Sequence, residues 1–529
     1  MKITKYFMMA SASLLLASCL DTEPSGNLVT TDEKQETVEN DPSRLEASVN
    51  AVTTNFSVMG NVRGEDVHSD IGYPSIMLLL DSRGVDMVEE NTGYNWFSFA
   101  LTYDDIDYTY GDNRMIWCTL YNQIYAANNV VATVGMEPTD AVSQGYLAQA
   151  LAIRAFDYFQ LVQCYQQTYA NVDPNTALGV PVITEANKEE VAKDGGCPRA
   201  TVAKTYEQIL SDLNAAIDLL QKSNYKRTDK RYVDLYTARA IRARVYLVMH
   251  NYEKALEDAN FVIENSGAKP LSIAEASQPG FADINANNWL WGIKISETDR
   301  VVTTGICNFP SHMGSLNYGY ATVGAWKRIN KKLYEKNINE TDARKGWFLD
   351  ENGVSKNLTA EQQEYVTGKK APAYTQVKFA PYKGVVGTST NASDIPLIRI
   401  EEMYMIKAEC EAQTNATKGA STLKDFIRQY RDPSYNLNAS TTEGVVNAIL
   451  TQRRIEFYGE GITWFDFIRL NKDFDRRGAG YDATEVYNIP AKDDCLIWRV
   501  PKNEMQHNKF ITEEQNNPVG KHPTAVADE

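Results

Sequence analysis

Ala240-Ile241-Arg242-Ala243-Arg244-Val245-Tyr246-Leu247-Val248-Met249-His250-Asn251-Tyr252-Glu253-Lys254-Ala255-Leu256-Glu257-Asp258-Ala259-Asn260-Phe261-Val262-Ile263 is the stretch that decides the fold. Ala243, Tyr246, Tyr252, Ala255 and Ala259 stand at the offsets of a tetratricopeptide-type helix pair. Small alanines let two helices approach, and the tyrosines fill the space between them. One such pair cannot bury its own apolar face, so neighbouring pairs must stack on it.

Working outward, the same three- and four-residue rhythm recurs. It runs through Trp117, Leu120, Tyr121, Ile124 and Asn128, and again through Ala148, Leu151, Ala155, Tyr158, Phe159 and Val162. A third stripe, Val202 to Leu220, begins behind Thr201, a residue suited to an N-cap. Between about 266 and 395 the periodicity fails. Gly, Asn, Pro, Ser and aromatics dominate there, with short strand-like runs such as Trp289 to Ile295. Long irregular segments of this kind are more often functional than accidental. Helical stripes return at Ile400 to Ala408 and Val446 to Phe457, before a loop-rich end. The expected fold is mainly α: a tetratricopeptide-like helical-pair scaffold with a large irregular loop-rich region and a few short strands.

The beginning of the chain has a different character. Lys2 and Lys5 precede an apolar run from Tyr6 to Leu16, followed by Leu16-Ala17-Ser18-Cys19. That order is a secretory signal peptide, and its apolar run is too short to span a bilayer. A small residue before Cys suits lipoprotein processing, with cleavage after Ser18 and a diacylglyceryl group on Cys19. Residues 19–40 are polar and read as a flexible tether. The remaining divisions are a helical region at 41–265, the irregular region at 266–395 and a C-terminal region at 396–529.

A formal net charge of −16 and no basic patch exclude nucleic acid as a partner. Besides Cys19, the cysteines (Cys118, Cys164, Cys197, Cys307, Cys410 and Cys495) are scattered without a CxxC pair. No metal-ligand spacing is present, so neither a metal nor a catalytic cofactor is expected. Their pairing stays open, and most read as buried small hydrophobes.

Gln452-Arg453-Arg454-Ile455-Glu456-Phe457, then Glu460-Gly461 and Trp464-Phe465-Asp466-Phe467-Ile468-Arg469, resembles a signature of the SusD/RagB nutrient-binding outer-membrane lipoproteins of Bacteroidota. Further landmarks agree in order. They are Ile153-Arg154-Ala155 leading to Gly179-Val180-Pro181, Pro198-Arg199-Ala200-Thr201, Ile398-Arg399-Ile400-Glu401-Glu402, Ala408-Glu409, and Val500-Pro501 with Asn517-Pro518. Gln452 replaces a frequent Glu, and Thr463 stands where Arg is common. The resemblance implies a surface-exposed, lipid-anchored protein of the outer membrane. It would bind oligosaccharide without cleaving it and serve a TonB-dependent transporter. The helical pairs would pack on the transporter and the opposite, irregular face would meet the ligand. From the residues themselves, the alternating charges of Arg453, Arg454, Glu456, Glu460, Asp466 and Arg469 read as helix-to-helix scaffolding, because no nucleophile accompanies them.

Sugar rings present C–H faces to aromatic planes and hydroxyls to polar groups. Two regions offer that combination: Asp81 and Arg83 with Tyr94 and Trp96, and Tyr318 and Tyr320 with Trp326. The resemblance places ligand contacts in the segment before the helix expected near Trp117, which fits the first. Trp289 and Trp291 read as core. Three rivals stand beside the sugar reading. One is a peptide ligand of the RagB kind, held through its backbone. The second is a glycoside hydrolase using a carboxylate pair such as Asp81 and Asp86. The third is a scaffold with no ligand of its own.

Overall fold

The structure, a computed structural model, describes residues 45–528 except 61 and 63–66. The signal peptide, Cys19 and the tether lie outside the described residues. Among the described residues, no helix is long and apolar enough to cross a membrane.

The helices that build the body are α1 (Glu46–Thr54), α2 (Tyr73–Arg83), α3 (Gly111–Val134), α4 (Ala141–Tyr165), α5 (Val202–Ser223) and α6 (Leu235–Val248). They continue with α7 (Tyr252–Asn265), α8 (Ile400–Thr414), α9 (Ala416–Tyr430), α10 (Thr442–Glu456) and α11 (Thr463–Arg469). The strands that matter below are β1 (Met87–Val88), β2 (Trp289–Ile293), β3 (Arg328–Ile329) and β4 (Ile395–Arg399).

The stretch quoted at the outset forms α6 and α7, joined by a turn in which His250 takes a φ of 57°. Ala243, Ala255 and Ala259 are fully buried between them. The stripe of α5 packs on α4, and Thr201 caps it by accepting the N–H of Lys204. Val202, Ile209, Leu213 and Ile217 are buried on that face, and each such aliphatic side chain contributes about 1.5–3 kcal/mol. Helices α3 to α8 touch one after another, forming one continuous stack that α9 and α10 extend.

That stack is interrupted in sequence but not in space. The chain leaves at the end of α7 and returns in α8, which packs directly on α7. The irregular region is therefore an excursion, closed at its base by the antiparallel pair β2–β4, in which Trp289 faces Arg399 and Ile293 faces Ile395. Trp289 and Trp291 are buried, as expected. Trp291 stands edge-on to Phe56 and Phe156, at 5.1 and 5.0 Å.

Buried charges fasten the excursion to the stack. Glu456 of α10 receives Arg399 at 3.0 Å, Arg431 at 2.8 Å and Arg344 at 3.3 Å. Glu460 receives Arg399 at 2.9 Å and Lys378 at 2.6 Å. Burial alone would raise the Glu456 carboxyl, but Arg431, Arg399 and Arg344 outweigh it and hold the group well below the usual range. Asp466 pairs with Arg453 at 2.7 Å, while Arg469 reaches Glu409. The charges of the signature are scaffold.

Two local expectations need correction. The helix expected near Trp117 begins at Gly111. Asp81 and Arg83, expected as ligand contacts, lie in the last turn of the buried α2. Gly72 starts that helix with a φ of 84°, at a place where a Cβ would lie 2.6 Å from the Phe56 carbonyl oxygen. Every residue of α2 is buried, so no apolar stripe sets it apart from a loop or strand.

Candidate functional site: an aromatic ledge

The site is assembled by the smallest element of the fold. β1 and β3 pair antiparallel, Met87 opposite Ile329 and Val88 opposite Arg328. Asn330 extends the join, giving its N–H to the Asp86 carbonyl at 2.8 Å and its side-chain amide to the Val85 carbonyl at 2.8 Å. The residues leaving β1, 89–96, are thereby laid beside those entering β3, 318–327. Beneath them Lys327 meets Glu89 at 3.0 Å, both side chains fully buried. Glu89 also accepts from Ser82 and Asn95, each at 2.6 Å.

Above this floor the two loops converge. Thr92 donates to the Gly324 carbonyl at 3.4 Å, and Tyr94 lies against Gly324. Trp96 stacks on His68 with centroids 4.3 Å apart and meets Tyr320 edge-on at 6.4 Å. His312 stacks under Tyr320 at 4.6 Å, and Phe97 backs His312 at 5.1 Å. Burial, then the nearby Lys327 charge, pushes the His312 ring down to about 3, so it is a neutral aromatic slab at ordinary pH. Burial also lowers His68.

Tyr318 is held by its backbone, its N–H bonding the Thr388 carbonyl at 2.8 Å and its own carbonyl accepting from Asn391 at 3.0 Å. The outcome is an open ledge on which Tyr94, Trp96 and Tyr318 remain 52%, 39% and 42% exposed. Exposed planar rings, with Trp96 held in place by His68 and Tyr320, suit the C–H face of a sugar.

The structure sorts the expected site residues. Tyr94, Trp96 and Tyr318 reach the surface, and the two candidate regions form one neighbourhood. Tyr320 is buried and supports Trp96 from beneath. Trp326 is half-buried, one residue before Lys327. Asp81 and Arg83 cannot touch a ligand, which corrects that expectation. Asp81 accepts the Gly461 N–H at 2.9 Å, and burial pushes its carboxyl up to about 8 against the pull of that bond. Arg83 pairs with Asp105 and lies between the Tyr103 and Trp498 rings, at 4.4 and 4.6 Å. Nor do Asp81 and Arg83 pair with each other. Asp86, the other acid weighed for hydrolysis, is taken by Arg454 at 2.6 Å.

Four contributors carry no signal in the sequence: His68, His312, Tyr365 and Lys369. They come from three segments, Tyr365 and Lys369 sharing the end of one short helix, and only the fold brings the three together. A further groove of about 300 Å³ runs beside Trp117, Tyr121, Tyr125 and Pro181. Tyr125 is its one strongly exposed ring among the described residues, whereas the ledge presents three.

Residues 34–247 match a family model described as starch-binding associating with outer membrane, and residues 313–519 match the model of the SusD family. The SusD-like protein P2 of Formosa agariphila is 24% identical over 429 residues, 74% of this chain and 80% of that protein. A SusD-like carbohydrate binding protein from Bacteroides vulgatus superposes with a TM-score of 0.72 at 20% identity, over 90% of this chain and 98% of its own. Surface glycan-binding protein A from Bacteroides thetaiotaomicron, solved with laminarihexaose, superposes with a TM-score of 0.62 at 14% identity, over 90% and 99%. The chain belongs to the SusD/RagB family, and its fold is theirs.

Proposed function

We propose that this chain is a non-catalytic lipoprotein of the outer membrane that captures oligosaccharide and hands it to a TonB-dependent transporter. The observation that carries the reading is the ledge of exposed rings, Tyr94, Trp96 and Tyr318, in which His68 and Tyr320 back Trp96 and His312 in turn supports Tyr320. Stacking on such rings takes hold of a sugar without bond cleavage. Asp81 and Asp86 are both committed inside the scaffold, so that carboxylate pair is not available for hydrolysis. The amides of Asn95, Asn317 and Asn391 are spent on neighbouring backbone and side chains. A free amide-lined groove of the kind a peptide backbone needs is thus less well served here than a sugar face. The Leu16-Ala17-Ser18-Cys19 sequence supplies the anchor, with acyl chains on Cys19.

Affinity electrophoresis through gels cast with polysaccharides, alongside calorimetry with peptides, tests the cargo. Retardation by at least one glycan is expected, and binding of peptides alone would contradict the reading. Radiolabelled palmitate tests the anchor: incorporation that disappears in Cys19→Ala is expected.

A further inference from the structure

One edge of the ledge carries a cation that stacking does not use. Lys369 follows the short helix Ala360–Gly368, its N–H bonding the Tyr365 carbonyl at 2.9 Å. Lys370 then turns the chain with a φ of 59°. The root of the Lys369 side chain is thereby fixed. Its ammonium lies 5.9 Å from the Tyr318 ring centre and 5.6 Å from that of Tyr365. The Tyr365 hydroxyl donates to the Asn317 carbonyl at 3.0 Å, tying this second ring to the loop that bears Tyr318. Lys383, nearby in sequence, spends its charge on Glu297 at 2.7 Å. Lys369 meets only rings among its described charge contacts.

We infer that this corner reads an anionic substituent, a carboxylate or a sulfate ester, on the sugar that stacks on Tyr318. The inference rests on the carbohydrate reading above. The ammonium lies over the Tyr318 and Tyr365 rings, so a sugar settling on Tyr318 meets it and moves it aside to the substituents at the sugar's rim. The ammonium offers three donors and exchanges a weak contact with ring faces for a charge-assisted bond. The acidic surface of the chain as a whole opposes an anionic ligand at long range. That repulsion is screened beyond roughly 8 Å at physiological ionic strength, whereas a contact pair is not.

A glycan array carrying uronate, sulfated and neutral oligosaccharides, probed with the whole mature chain, tests the inference. Calorimetry of each strong binder against its neutral counterpart (the methyl ester or the desulfated sugar) then measures the charge contribution. The strongest binders are expected to be anionic. Lys369→Gln should weaken them roughly fivefold, about 1 kcal/mol, and leave the neutral counterparts unchanged, while Lys369→Arg restores binding. Neutral sugars as the strongest binders, or anionic binding indifferent to Lys369→Gln, would overturn the inference alone. Trp96→Ala would still weaken sugar binding in that case. An array with no binding by the wild-type chain would overturn the carbohydrate reading together with this one.

Discussion

Glu89 and Lys327 form an ion pair 3.0 Å long with neither side chain exposed, at the point where two loops 238 positions apart are pressed together. Removing one partner of a buried pair leaves the other charge uncompensated, which costs about 3–5 kcal/mol. Glu89→Leu and Lys327→Met are each expected to lower the unfolding midpoint sharply. The double variant should recover much of the loss, because two apolar groups replace two charges. Denaturant unfolding of all four proteins gives the coupling, and strict additivity would deny the pair its role.

Asp81 makes a pH prediction. Burial, its largest influence, raises the folded carboxyl to about 8 from an ordinary value of 3.8. Between those values the folded chain keeps a proton that the unfolded chain releases. Rising pH therefore removes stability across that window and stops doing so above about pH 8. Asp81→Asn keeps an oxygen to accept the Gly461 N–H and should flatten this part of the stability profile. Thermal unfolding from pH 5 to 9 checks it; an unchanged slope would rule out Asp81 as the cause.

Glu456 has the opposite sign. Its carboxyl is held low by Arg431, Arg399 and Arg344 in spite of burial. The stability it contributes is present above the ordinary carboxylate range and is lost as pH falls through its depressed value. At neutral pH, Glu456→Gln should destabilise by about 3–5 kcal/mol, because three guanidiniums lose their shared counter-charge. Urea titration at pH 7 is the measurement, and a loss below about 1 kcal/mol would show that the network compensates.

The paired helices are legible in the sequence because α5, α6 and α7 each bury one face against a neighbour and so print a periodic stripe. The signature charges are legible too: Arg453, Asp466 and Arg469 alternate in sign without a nucleophile, and they pair as scaffold. Helix α2 is not legible, since a segment buried all round has no polar face to mark its period. Asp81 and Arg83 read as ligand contacts for the same reason. The sequence does point to Tyr94, Trp96 and Tyr318 individually. Their convergence is invisible in it, because the β1–β3 ladder that creates it is two residues long on each side, too short for any pattern. His68 and His312 support the ledge through ring contacts that no spacing encodes.

The most direct measurement is calorimetric titration of the best-binding oligosaccharide into wild type, Trp96→Ala, Tyr318→Ala and Tyr320→Phe. The exposed rings should carry the affinity: Trp96→Ala is expected to weaken binding about 30-fold, near 2 kcal/mol, with Tyr318→Ala weaker as well. Tyr320→Phe keeps the supporting ring and should bind like wild type. Unaltered affinity in Trp96→Ala and Tyr318→Ala, with their unfolding also unchanged, would contradict the ledge as the place where ligand is held.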